Sequence, residues 1–119
     1  MVYILLGTGF EEAEALVTAD VLRRGGLDVS LVGIGGTAVT GAHGITVVAD
    51  VAVENVTLKQ GDMLVLPGGM GGVEAIEGSA AAMALTTQAA DNDRIWLAAI
   101  CAAPTLLARH RLIGVPSPH

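Results

Sequence analysis

Val2-Tyr3-Ile4-Leu5-Leu6-Gly7-Thr8-Gly9-Phe10-Glu11-Glu12-Ala13-Glu14-Ala15-Leu16-Val17 begins with an unbroken apolar run, breaks at two glycines and continues with helical periodicity. A short apolar run closed by glycine reads as a strand buried on both faces. From residue 10 to residue 24, Phe10, Glu14, Val17 and Val21 recur at helical spacing beside Ala13 and Leu16, and Gly25-Gly26 supplies the stop. Residues 29–34 form the next apolar run. Strand, crossover helix and strand in that order make a right-handed parallel unit, and a parallel sheet needs helices on both faces.

The rest of the chain extends this pattern. Gly41-Ala42-His43-Gly44 reads as a turn before a strand over 45–48, and residues 51–56 continue or pair with that strand. Residues 63–66 form a buried strand ending at Pro67-Gly68-Gly69. Ser79 caps a helix over 80–90. A last strand over 95–100 leads into a helix over 102–109, which tolerates Pro104 in its first turn. Alternating strands and helices with glycines at strand ends predict an α/β, doubly wound, mainly parallel sheet.

Composition bounds the function. The 119 residues carry a net charge of −6, and the basic clusters Arg23-Arg24 and Arg109-His110-Arg111 are too short to track a nucleic-acid backbone. Charged residues make up 15% against roughly 25% in an average soluble domain, and 52% are hydrophobic, so a packed core is expected and disorder is not. One domain over 1–119 suits this length. The longest apolar stretch, 95–103, is far shorter than the roughly 20 residues a membrane span needs. No basic leader precedes the first strand, and the single cysteine excludes an internal disulfide and a CxxC metal site. A cytoplasmic protein without membrane or nucleic-acid partners is expected.

Three segments stand at carboxyl ends of predicted strands: residues 7–11, 67–69 and Cys101. Ligands collect at that edge of an open parallel sheet. Gly7-Thr8-Gly9 lacks the third glycine of a dinucleotide fingerprint, because Glu12 stands there beside Glu11, and both carboxylates repel a pyrophosphate. Cys101 lies between an apolar strand and a helix, with the small residues Ala99 and Ala103 two positions to either side. That is the composition of a sharp turn exposing a nucleophile, and a helix N-terminus favours thiolate; an inert core cysteine is the alternative. Glu14 shares the helix face of Phe10, Val17 and Val21, so its carboxylate is expected toward the sheet, where an unpaired charge is costly and the group is expected to stay protonated and donate a hydrogen bond. Glu11 and Glu12 suit the helix dipole, with Glu12 read as a dipole partner only. Gly68 and Gly69 allow close backbone approach and an N–H aimed at a developing oxyanion. His43 in a turn and His110 at a helix C-terminus read as structural, and no metal-ligand spacing or cofactor motif is visible.

Four segments together, Gly9-Phe10-Glu11-Glu12-Ala13-Glu14, Asp20-Val21-Leu22-Arg23-Arg24-Gly25-Gly26, Leu66-Pro67-Gly68-Gly69-Met70 and Ala98-Ala99-Ile100-Cys101-Ala102-Ala103-Pro104-Thr105, strongly resemble the ThiJ/PfpI superfamily. The subgroup is that of the Parkinsonism-associated protein deglycase. The resemblance covers residues 1 to about 109 and implies a flavodoxin-like fold with a strand-Cys-helix nucleophile elbow. It implies Cys101 as nucleophile, Glu14 as its carboxylic partner and the backbone N–H groups of Gly69 and Ala102 as oxyanion site, with Gly68 and Glu11 lining a substrate pocket. It also implies an enzyme without cofactor or metal, acting on small reactive carbonyls, or a thiol-based stress sensor or chaperone without turnover. Ala102 stands where peptidase-like members resemble Cys-His, which argues against a protease. The family continues beyond the elbow helix through further strands, a histidine and a terminal helix, whereas the residues around His119 do not match. A homodimer, or association with a chain carrying the remainder, is therefore expected.

Overall fold

The computed structural model describes residues 1–100 and 103–110. Val2–Leu6 (β1) is followed by helix Glu12–Arg24 (α1) and strand Val29–Gly33 (β2), as the apolar runs predict. Ala38–Thr40 (β3) and Thr46–Val48 (β4) form an antiparallel hairpin across the 41–45 turn. Residues 51–56 do not extend that hairpin: Val51–Ala52 (β5) pairs in parallel with β2, and Val53–Asn55 is a 3-10 turn. Met63–Leu66 (β6) leads into helix Met70–Glu77 (α2), which Gly71 and Gly72 conceal from a propensity reading. Ala80–Asp91 (α3) starts where expected, with Ser79 Oγ accepting the Ala82 N–H at 3.1 Å. Trp96–Ala99 (β7) and Ala103–Arg109 (α4) follow.

The main sheet has the order β5-β2-β1-β6-β7, with every pair parallel. Side chains alternate between two cores. Leu5, Val32, Leu64 and Leu66 point to the face covered by α2, α3 and α4, where Val73, Ile76, Leu85 and Leu106 meet them. Ile4, Leu6, Leu31 and Val65 point to the other face, against Phe10, Ala15 and Ala19. Helices on both faces of a parallel sheet are the doubly wound arrangement that the sequence predicts.

The buried face of α1 differs from the expected one. Val17 and Val21 are 59% and 58% exposed, whereas Glu12, Ala15 and Ala19 are buried, with Leu16 and Leu22 packed beside them. Residues 12, 15, 16, 19 and 22 also follow a helical stripe, and the alanines let the helix approach the sheet closely.

Candidate functional site

The chain adds β2 and β5 on one side of β1, then returns to place β6 on the other. Neighbouring strands whose connections leave toward opposite faces open a crevice at their carboxyl ends. Between β1 and β6 that crevice holds residues 7–11 and Pro67-Gly68-Gly69.

The two loops are bonded to each other. Glu11 N–H donates to Gly68 C=O at 3.0 Å, and Gly68 N–H donates to Glu14 Oε1 at 2.9 Å. Glu14, on the first turn of α1, therefore has its Oε1 seated on a buried peptide of the opposite loop. Gly69 has φ +94°, and a Cβ there would lie 2.6 Å from Gly9 C=O. Only glycine suits that left-handed backbone and that clearance. Ile100, past the end of β7, donates its N–H to Leu66 C=O at 3.0 Å, so the chain leaves β7 beside the end of β6. Cys101 and Ala102, read as nucleophile and second oxyanion donor, lie outside the described residues.

Glu12 is more than a dipole partner. It is 4% exposed, and its Oε2 accepts the N–H groups of His43 at 2.8 Å and Ile45 at 3.2 Å. Its Oε1 lies 3.0 Å from His43 Nδ1, and the Glu11 carboxylate lies 3.6 Å from the same nitrogen. Desolvation pushes the Glu12 carboxyl up, but the hydrogen bonds from the His43 ring and from backbone N–H groups outweigh it and bring its pKa to about 2. The bond to Glu12 and the nearby Glu11 charge raise His43 above its ordinary value. One ligand atom from each of Glu11, Glu12 and His43 falls within 4.8 Å of the others. No spacing rule joins a helix start to a turn 31 residues later; only the fold brings them together. His110 follows the end of α4, as expected, and its Nε2 lies 3.0 Å from the Glu77 carboxylate.

A cleft of about 440 Å³ lies at the opposite, amino end of the sheet, lined by Arg23, Leu27 and Asp28 among others. It contains none of Glu11, Glu14, Gly68 and Gly69.

Fold and crevice define a doubly wound α/β protein whose connections after β1 and β6 meet at the switch point. Residues 1–115 match the family model DJ-1/PfpI family, and the chain belongs to that family. It is 41% identical over 109 residues to Protein dj-1beta of Drosophila melanogaster, covering 90% of this chain and 57% of that protein. It is 40% identical over 104 residues to the glutathione-independent glyoxalase DJR-1.2 of Caenorhabditis elegans, covering 87% of this chain and 55% of that protein. The crystal structure of Drosophila melanogaster DJ-1beta superposes with a TM-score of 0.84 at 37% identity, over 92% of this chain and 57% of that one. An oxidized Toxoplasma gondii DJ-1 superposes with a TM-score of 0.83 at 33% identity, over 93% and 61%. The chain thus spans somewhat more than half the length of these relatives.

Proposed function

We propose that this chain carries the reactive thiol of a cofactor-independent enzyme acting on small reactive carbonyls, with glyoxalase or deglycase character. The observation that carries the reading is Glu14 seated on Gly68 N–H at the β1/β6 crevice, in a chain 40% identical to a protein named as a glutathione-independent glyoxalase.

In this reading the Cys101 thiolate adds to the aldehyde carbon of a 2-oxoaldehyde such as methylglyoxal. The carbonyl electron pair moves to oxygen, which the N–H groups of Gly69 and Ala102 stabilise before it takes a proton. The product is a hemithioacetal. Glu14 then takes the proton from the former aldehyde carbon and returns it to the neighbouring carbon, while the hemithioacetal hydroxyl proton passes to the neighbouring ketone oxygen, giving a lactoyl thioester that water hydrolyses to lactate and free thiol. The aldehyde carbon is oxidised and the ketone carbon reduced, so no outside oxidant is required. Gly68 and Glu11 line the pocket. The chain acts in the cytoplasm as a homodimer; the exposed Val17 and Val21 of α1 support such association.

Steady-state lactate formation from methylglyoxal tests the reading. Wild type should turn over and Cys101→Ala should not; equal rates in the two would overturn it. The second reading, a thiol sensor without turnover, is favoured by the oxidized state named for the Toxoplasma gondii relative. Cys101 sulfinate formation under peroxide, with no lactate from the reduced protein, would select it.

A further inference from the structure

The Glu12 carboxylate is buried on the first turn of α1, yet the side-chain and inter-element backbone bonds it accepts come from the 41–45 turn. Gly41 makes room for it: a Cβ there would lie 2.4 Å from Glu12 Cδ. The same turn is tied to the crevice through the backbone. Ala42 N–H donates to Phe10 C=O at 2.9 Å, and Gly9 N–H donates to Thr40 C=O at 2.9 Å. The peptide that carries Phe10 C=O also carries Glu11 N–H, which donates to Gly68 C=O, and Gly68 N–H donates to Glu14. A continuous series of bonds thus runs from His43 through Glu12 and the loop at 9–11 to the Gly68 peptide and Glu14.

We propose that Glu12 and His43 are positioning residues of the crevice, a latch that clamps the β3–β4 turn onto residues 9–11 and so orients Gly68, whose C=O accepts the Glu11 N–H and whose N–H bonds Glu14. The inference rests on the carbonyl-enzyme reading for its catalytic consequence but not for its structural one. The charge of the latch is carried by three groups. His43 faces Glu12 and Glu11 from α1 and its cap, and residues 8–10, 41–45 and 67–69 contain no other ionisable side chain. Protonated His43 offsets the repulsion between two adjacent carboxylates. Its deprotonation leaves both carboxylates charged and loosens Glu11, whose peptide grips Gly68.

The test is amide hydrogen exchange on the full chain, corrected for intrinsic rates, beside methylglyoxal kinetics. Glu12→Gln removes the charge from a buried acceptor and should speed exchange at the Ala42, Gly9, Glu11 and Gly68 amides by about tenfold or more. The Ile4 and Val65 amides of the central strands should keep their protection. Loosening confined to His43 and Ile45 would overturn the proposal. His43→Gln alters an exposed ring and should leave the fold intact while flattening the pH dependence of exchange at Glu11; an unchanged pH dependence would also overturn it. In turnover, both variants should lower kcat with little change in KM. A wild type that makes no lactate would sink the carbonyl reading, while the exchange data would still judge the latch.

Discussion

Glu14 accepts a buried N–H and is assigned proton transfer, and two substitutions separate these duties. Glu14→Gln keeps an acceptor for Gly68 N–H but cannot carry a proton; Glu14→Leu loses both. Lactate formation should fall by about 100-fold or more in each, the scale of general acid-base catalysis. Denaturant melts should show a loss of about 1–3 kcal/mol in the Leu variant alone, because its Gly68 N–H is left unsatisfied. Glu12 and His43 make stability depend on pH in opposite directions. The Glu12 pKa is lowered from 4.5 to about 2, so its stabilisation is complete above 4.5 and disappears as pH falls through about 2. The His43 pKa is raised from 6.5, so its stabilisation is complete below 6.5 and disappears as pH rises through the higher folded value. The pair should therefore support the fold most between pH 4.5 and 6.5. Urea titrations from pH 4 to 9 check this, and His43→Gln should remove the decline on the alkaline side.

Elements respond to their ends as well as their faces. Ser79 closes the first turn of α3 through Ala82 N–H, and α3 packs on β6 and β7. Ser79→Ala should cost about 1 kcal/mol by urea unfolding, with lactate formation unchanged. Gly69 opens α2 in a left-handed conformation against Gly9. Gly69→Ala should destabilise by about 1–3 kcal/mol from backbone strain alone, with activity lost as the two loops separate. In α1 the small alanines, not the valines, meet the sheet. A hydrophobic stripe chosen by side-chain size misplaces that face, because close packing against a strand layer selects for shape as well as apolarity.

At the scale of the molecule, Val17, Val21 and the 75% exposed Val48 leave apolar surface to solvent, and among the described residues β7 is an edge of the five-stranded sheet. Such surfaces favour association. The chain should sediment as an oligomer, with a melting temperature that falls across a hundredfold dilution; a sharply melting monomer independent of concentration would contradict this. Val17→Asp with Val21→Asp should weaken association while leaving the α1 core, built on Ala15 and Ala19, in place. Local signals were enough for β1, β2, β6, α3 and the crevice at the strand ends, because continuous apolar runs, glycine stops and the Ser79 cap act within a few residues of themselves. The placement of Glu14 was not legible from the α1 stripe, because the valines expected to share its buried face are exposed and its bond to Gly68 spans 54 residues. The pairing of β5 with β2, the burial of Glu12 and its union with His43 were not legible. Each depends on which distant segments the sheet order brings together, and a buried charge is tolerated only where such a segment presents its N–H groups.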